Sequence, residues 1–447
     1  MRPMTQSDFC RCILAFCVTS APGWSLLAHG QDSSKNVGSN SQQTAPGSPS
    51  TTVQLTEPMV SRVELRLTIA EKEVDVIERG DLVTILEDRG DRFLVRTFRG
   101  VKGVVEKVNL STLTESVEVY DELIKAQPDV GRLYTLRAGA QWARGDAESA
   151  LKDFDEAIRL GYDTANAYSS RALFLSAIQK HDKAIEDFTK AMEKGEKTEA
   201  NYINRAASYM QLNLIDNAIS DYTEALALNE KNAGILQQRA TAYKVKGDLD
   251  KAIEDFTKAI ELAPKFIPAI MGRGYIYFQA GDHAKAIGDF SKVIELNDRA
   301  SVAYNNRGYN LQLMGKEKEA LIDFEKSVAL DPQYALAHQN LAWLLATGND
   351  KSLRDPKRAI TAATKACELN QYNDLSDMAA LAAAHAAGEE FDLAIGIQEK
   401  VLERAPDEQK PLAKKLLELY RENKQFDPQV GAEPSSSKTS LETPAKE

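Results

Sequence analysis

An alanine returns every 34 residues through the middle of this 447-residue chain, at Ala150, Ala184, Ala218, Ala252, Ala286 and Ala320. Four residues after each comes an aromatic: Phe154, Phe188, Tyr222, Phe256, Phe290 and Phe324. Three further on stands a small or apolar residue: Ala157, Ala191, Ala225, Ala259, Val293 and Ser327. Such offsets share one helix face. A second set precedes the first in the same phase. Tyr134, Tyr168, Tyr202, Leu236, Ile270 and Tyr304 lie sixteen residues before the alanines, and Ala138, Ala172, Ala206, Ala240, Gly274 and Gly308 lie twelve before. Gly145, Gly247, Gly281 and Gly315 fall between the two sets, where a helix end needs a left-handed residue, and Pro264 and Pro332 stop second helices. The repeating unit is therefore a helical hairpin. A hairpin cannot bury its apolar face alone and must stack on its copies, so the chain is expected to grow as an array rather than as one core.

This pattern is identified as the tetratricopeptide repeat, over residues 131–406. The resemblance implies a mostly α fold: an α-solenoid of helical hairpins in a right-handed superhelix. Two further units depart from the period. The seventh has Ala359, Ala363 and Ala366, with five extra residues within Thr347–Asp355 and a helix start at Asp355-Pro356. The eighth has Ala394, Gln398, Val401 and Pro406 after a first helix over Leu375–Ala387. Stepping back one period from Ala150 reaches Ser116, with Tyr120 and Pro128 in phase. Residues 113–130 are thus expected to form a capping half-repeat helix. Leu412, Leu416, Leu419 and Tyr420 predict a polar-backed capping helix within 407–427.

Two charged positions recur with the array. Arg stands at the seventh position of six hairpins (Arg137, Arg171, Arg205, Arg239, Arg273, Arg307) and Asp at the twenty-third (Asp153, Asp187, Asp221, Asp255, Asp289, Asp323). The last two units lose both together, having Leu341 and Leu381 for Arg and Ala362 and Ile397 for Asp. If each Asp faced the next hairpin's Arg, Asp323 would meet Leu341 and Arg137 would meet Val119. Pairing within one hairpin leaves nothing over, which predicts six intra-repeat ion pairs, partly buried, with a planar guanidinium matching a carboxylate. The competing reading is that both are solvated residues copied with the repeat.

In the family that the chain resembles, first helices line a concave groove with positions two, five, nine and twelve facing the ligand. Carried over here, these include Arg132, Asn166, Gln237, Lys244, Met271, Tyr275, Phe278, Asn305, Tyr309 and Gln312. Aromatic and amide groups can hold an extended peptide by stacking and by hydrogen bonds. The alternative is that Tyr275, Phe278 and Tyr309 pack against neighbouring helices. No repeat has both the Lys at position five and the Asn at position nine with which part of the family grips chaperone C-termini.

Residues 56–112 read differently. Val63–Leu67, Val74–Ile77, Leu82–Leu86, Phe93–Val95 and Val101–Val108 are short β-rich runs separated by Gly80-Asp81, Arg89-Gly90-Asp91 and Arg99-Gly100. Five strands in so short a span suggest a small barrel. The order Gly80-Asp81, Gly90-Asp91-Arg92-Phe93, Gly100-Val101-Lys102-Gly103-Val104-Val105 resembles the bacterial SH3-like domain, with Phe93 and Val104 where that family often has Trp. Two roles are open: a plug for the repeat array, or a module that holds cell-wall material while the repeats recruit a partner.

Residues 1–30 carry Arg2 and Arg11, an apolar stretch over 12–21 and the small-x-small site Ala28-His29-Gly30, as a secretory signal does. A short membrane anchor is the alternative. Export to the periplasm, envelope or medium is expected. Residues 31–55 and 428–447 are rich in Ser, Gln, Thr, Gly and Pro and read as a disordered linker and tail. Cys10, Cys12 and Cys17 lie in the leader, leaving Cys367 alone, so no internal disulfide or cysteine-based metal site is expected. The net charge of −11 and the lack of a Lys/Arg run argue against nucleic acid, and the 34-residue period argues against an RNA-binding helical repeat. No phosphate loop, His-Glu-x-x-His or Gly-x-Ser-x-Gly motif occurs. His181 and His283 fall at inter-helix turns and His338 and His385 at core positions; Asp350 and Asp355 could hold a cation but are explained by a solvated loop with a helix cap. The expectation is a non-catalytic protein–protein interaction scaffold without cofactor or metal, binding a protein or peptide.

Overall fold

The computed structural model describes residues 58–69 and 72–426. The expected leader (1–30), linker (31–55) and tail (428–447) lie outside the described residues. The chain divides between Leu228 and Asn229 into two compact units.

The first unit opens with β1 (Pro58–Ser61), β2 (Leu65–Ile69), β3 (Lys72–Ile77), β4 (Leu82–Asp88), β5 (Arg92–Arg96), β6 (Lys102–Glu106) and β7 (Leu110–Thr112). Five of these form one antiparallel sheet in the order β6-β5-β4-β1-β7, and β2 and β3 form a separate hairpin. Leu67 and Ile77 of that hairpin close over Met59, Val83, Ile85, Phe93, Val95, Val105 and Leu110 of the sheet, giving one small core. Leu67 lies so close to Gly103 on β6 that a Cβ there would meet it at 2.6 Å. The expectation of five strands missed β1 and β7, at four and three residues the shortest. Too short to show alternation, they are strands through their pairing: Met59 lies opposite both Val83 and Thr112.

Helix α1 (Val117–Ala126) then joins this sheet to the first hairpin, α2 (Gly131–Ala143) with α3 (Ala147–Arg159). Val60 and Leu82 from the sheet, Leu113, Val117 and Tyr120, and Leu136 and Ala140 of α2 make one buried cluster. The Tyr120 hydroxyl donates to the Gly80 carbonyl at 3.1 Å. Gly80 has φ +87°, and a Cβ there would meet Leu123 at 2.7 Å, so both backbone and contact require glycine. Hairpins two and three follow as α4 (Ala165–Ala177) with α5 (His181–Glu193) and α6 (Glu199–Gln211) with α7 (Ile215–Leu228). Ala150 and Phe154, Ala184 and Phe188, and Ala218 and Tyr222 are buried where the periodicity puts them.

The second unit holds five hairpins: α8 (Ala233–Lys246) with α9 (Leu249–Leu262), α10 (Ile267–Gln279) with α11 (His283–Leu296), α12 (Ser301–Leu313) with α13 (Glu317–Leu330), α14 (Ala335–Thr347) with α15 (Pro356–Leu369), and α16 (Leu375–Ala387) with α17 (Phe391–Arg404). Each first helix packs on its second helix, and each second helix on the next hairpin's first. Gly274 and Gly308 sit where a Cβ would meet the rings of Phe290 and Phe324 at 3.1 and 3.0 Å. The small residue of the first helix is thus a seat for the aromatic of the second. The longer connection after α14 is pinned rather than loose. Glu317, 6% exposed, accepts from the backbone N–H groups of Asn349 and Asp350 at 2.9 and 2.8 Å. Helix α18 (Lys410–Arg421) covers the last hairpin with Leu416 and Tyr420. No helix among the described residues is long and apolar enough to cross a membrane.

Candidate partner-binding surface

The recurring Arg and Asp meet within each hairpin. Arg137–Asp153, Arg171–Asp187, Arg205–Asp221, Arg239–Asp255, Arg273–Asp289 and Arg307–Asp323 are all two-pronged, Nε and Nη2 donating to the two carboxylate oxygens at 2.6–2.9 Å. The carboxylates are nearly inaccessible: the Asp221 side chain is 5% exposed beside an Arg205 side chain at 16%. Its hydrogen bonds to Asp221, partly opposed by burial, hold the Arg205 guanidinium above its ordinary pKa.

A third partner completes these sites. Nη1 reaches the preceding helix, from Arg137 to Asp121 and from Arg171 to Asp155 at 2.7 and 2.6 Å. It reaches hydroxyls instead from Arg205 (Thr189, 2.9 Å), Arg273 (Thr257, 3.2 Å) and Arg307 (Ser291, 3.2 Å). From the sequence, pairing within a hairpin and pairing between hairpins stand as alternatives. The guanidinium does both, because its fork has a third direction left after a bidentate contact. The available signal is an Asp, Thr or Ser at the 34-residue period, from Asp121 and Asp155 to Thr257 and Ser291, two residues after the Asp in hairpins one to five. These charges are consumed in closing and stacking hairpins.

The residues expected to face a partner are dispersed among different tasks. Arg132 is half-exposed and pairs with Asp81 of the β region at 3.2 Å. Asn166 is half-buried on α4, and Gln312 half-buried near the end of α12. The Gln237 amide donates to Thr241 of its own helix at 3.2 Å. Met271 packs on the cluster of Ile270, Val293 and Ala303. Asn305 is a correction: it is 1% exposed and cannot touch a partner. Asn340 of the next hairpin donates to its Oδ1 at 2.9 Å, and its own amide reaches the Tyr334 hydroxyl at 3.4 Å. Burial pushes that phenol up to about 12 against the opposing hydrogen bond from Asn305.

Lys244, Tyr275, Phe278 and Tyr309, from three successive first helices, do come together. The Lys244 ammonium stands 4.1 Å from the centre of the Tyr275 ring. Phe278 lies 6.0 Å from Tyr275 and meets Tyr309 edge to face at 5.6 Å. The rings thus contact neighbouring helices and remain half-exposed. Absent from the expected set is Trp343, which follows Tyr309 by the same 34 residues as Tyr309 follows Tyr275. Its ring on α14 is half-buried and, like Tyr309, packs against the cluster that includes Leu341 and Leu345. Pro268, Val302 and Leu336, at position two of α10, α12 and α14, are exposed, adding apolar surface.

Asp350, Asp355, His338 and His385 have ordinary partners, whereas Nδ1 of His181 is buried without a hydrogen bond. Asp350 accepts from the Ser352 N–H and hydroxyl, and Asp355 caps α15 by accepting from the Arg358 N–H at 3.1 Å. His338 contacts the Pro332 carbonyl at 3.2 Å, and His385 meets Glu390 at 2.5 Å. The buried thiol of Cys367 is pushed up to about 12, first by burial and then by Asp377 and Asp374. Among the described residues no three His, Cys, Asp or Glu side chains are placed to hold a metal ion.

Tetratricopeptide-repeat models match residues 107–161, 135–197, 200–232, 233–266, 267–299 and 301–334, together about half of the chain. The chain belongs to the tetratricopeptide-repeat family. No curated protein matches it. A tetratricopeptide repeat protein from Parabacteroides merdae is 20% identical, with a TM-score of 0.42, over 57% of this chain and 98% of its own. The C-terminal part of a repeat protein from Cytophaga hutchinsonii is 19% identical, with a TM-score of 0.47, over 54% and 96%. YrrB, described as a tetratricopeptide-repeat protein with an unusual peptide-binding site, is 23% identical, with a TM-score of 0.36, over 41% and 95%. The repeat assignment rests on the family models and on the hairpin packing described above.

Proposed function

We propose that this tetratricopeptide-repeat chain is a non-catalytic scaffold that binds an extended protein segment along the first helices of hairpins four to seven. The observation that carries this reading is the stripe of Tyr275, Phe278, Tyr309 and Trp343, half-exposed and flanked by Lys244. Rings on rigid helices lose little entropy on binding and stack on apolar or proline side chains. Lys244 supplies a cation at one end.

Selection of random displayed peptides on the full chain tests the reading. Recovered peptides are expected to lose about tenfold in affinity on Tyr275→Ala or Tyr309→Ala, a difference of about 1.4 kcal/mol, with helicity unchanged. Recovery of no peptide, or of peptides indifferent to both variants, overturns it.

The proposal includes export, supported by the charge, apolar stretch and cleavage motif of residues 1–30. Recovery of the chain from the cytoplasm with its N-terminus intact would remove that part. It also includes an SH3-like β region acting as a plug. The shared core of Val60, Leu82, Tyr120 and Leu136 supports a plug. Phe93, at one position where the resembled family often has Trp, is 1% exposed, which leaves it no face for a wall ligand.

A further inference from the structure

Lys424, Gln425 and Phe426, after α18, stay against the repeats. Lys424 N–H donates back to the Leu419 carbonyl at 2.9 Å, turning the chain. The Gln425 amide donates to the carbonyl of Ala387, the last residue of α16, at 3.3 Å. Phe426 lies against Ala382, Ala386, Leu416 and Tyr420 and meets Trp343 edge to face at 6.4 Å. Within two residues the chain thus passes from the first helix of hairpin eight to the first helix of hairpin seven. Hairpin eight has Ala383 at the position that holds Trp343, Tyr309 and Tyr275 one, two and three units earlier. The ring beside Trp343 is supplied by Phe426 instead, as the end of the same stripe.

We propose that residues 427–447 of this chain are themselves an occupant of the aromatic stripe and compete with partner segments for it. The inference rests on the stripe being a binding surface. Twenty-one residues follow Phe426. A chain of that length reaches roughly 65 Å when extended at about 3.1 Å per residue. First helices of successive hairpins are on the order of 10 Å apart, so the segment is long enough to pass Tyr309 and Tyr275 and reach Lys244. Its composition suits the surface. Pro428, Val430, Pro434 and Pro444 offer flat apolar faces for rings. Asp427, Glu433, Glu442 and Glu447 outnumber Lys438 and Lys446, which matches the cation at Lys244. A segment tethered at Phe426 acts at an effective concentration near millimolar, so weak contacts suffice to fill the site. An outside segment then binds with an affinity reduced by the fraction of chains whose stripe is open.

The test uses the full chain with benzoylphenylalanine in place of Val430, irradiated as a mixture of isotopically heavy and light protein. Expected are links within single chains to residues 301–313 or 335–347, falling at least fivefold on Phe426→Ala. Heavy–light links, which would make a second copy the occupant, or links scattered over other surfaces overturn the proposal. A second measurement uses a displayed peptide whose binding depends on Tyr309. Replacing residues 427–447 by an equal length of Gly and Ser is expected to tighten it about tenfold, and unchanged affinity overturns the competition. Failure of the underlying reading looks different: peptides would tolerate Tyr309→Ala while the intramolecular links persisted.

Discussion

Hairpins six and seven are neighbours built on one plan, yet they close differently. In hairpin six Arg307 grips both oxygens of Asp323 and extends Nη1 to Ser291 of hairpin five. In hairpin seven the same two places hold Leu341 and Ala362, both buried, within a cluster that continues through Met378 and Leu381. The first helices of hairpins seven and eight, α14 and α16, pack along much of their length, whereas those of hairpins four to six touch at few points. Alanine at 342, 346, 380, 383 and 384 allows the close approach. Even the third partner is reassigned. Glu325 stands where earlier hairpins have the acceptor for Nη1, and it pairs with Arg358 from α15 instead. The hairpin therefore does not require the ion pair. In hairpin seven an apolar contact closes it, as expected where desolvating two charges cancels much of their attraction. What the ladder adds is register, because a three-way guanidinium fixes one hairpin on the next in a single geometry.

The sharpest break in that comparison is Arg205→Ala, which strands the Asp221 carboxylate with no cation beside it. A loss of about 3–5 kcal/mol is expected in denaturant titration. A loss of about 0–1 kcal/mol, typical of exposed pairs, would return the ladder to the status of copied surface charge. Leu341→Ala is the matched experiment on the apolar side. It leaves a cavity, and a loss of about 2–4 kcal/mol is expected. Its cost is independent of salt and pH, which separates it from the first.

A third variant sharpens the contrast through pH. Asp377 on α16 is 2% exposed and accepts from the Asn370 amide at 2.7 Å. Burial, partly offset by that hydrogen bond, pushes its pKa up to about 6. An unfolded Asp titrates near 4. Below about pH 4 the group is protonated in both states and costs nothing. As pH rises from about 4 to 6 the unfolded state ionises first, so stability is lost, and the loss stays above about pH 6. Asp377→Asn is expected to stabilise the second unit by up to about 3 kcal/mol at pH 7 and by nothing at pH 3.5. A pH-independent effect would show that the carboxylate is not the cause. The smallest effect is expected for Arg239→Leu with Asp255→Ala, which gives hairpin four the side chains of hairpin seven. Removing both charges together should change stability by no more than about 1 kcal/mol in either direction. A loss as large as that of Arg205→Ala would mean that the surrounding hairpin cannot close on apolar contacts.

The hairpins are legible because the same small and aromatic residues return in phase, and a repeat checks itself. Pairing of Arg with Asp follows from their joint disappearance in Leu341, Ala362, Leu381 and Ile397, a comparison internal to one chain. The third direction of the guanidinium is harder to see. Asp121, Asp155, Thr189, Thr257 and Ser291 recur on schedule, but a mixture of acids and hydroxyls on an outer helix face looks like ordinary solvated surface. Position number alone marks Asn305 for a partner. It is buried because Asn340, thirty-five residues on, donates to it, and no local pattern carries that. Trp343 keeps the period of Tyr275 and Tyr309, yet it sits in a run of apolar residues that reads as core.

The amino-acid sequence alone determined the unit, its length, its stacking and the points where the plan changes, since periodicity records which face of each helix must be hidden from water. Tertiary structure alone decided which polar groups were consumed. It turned Asn305 inward, made strands of Pro58–Ser61 and Leu110–Thr112, and brought Phe426 back onto Trp343. Those outcomes depend on partners far along the chain. A hydrogen bond or ring contact is set by where two elements meet in space, and residue spacing within either element does not encode that meeting.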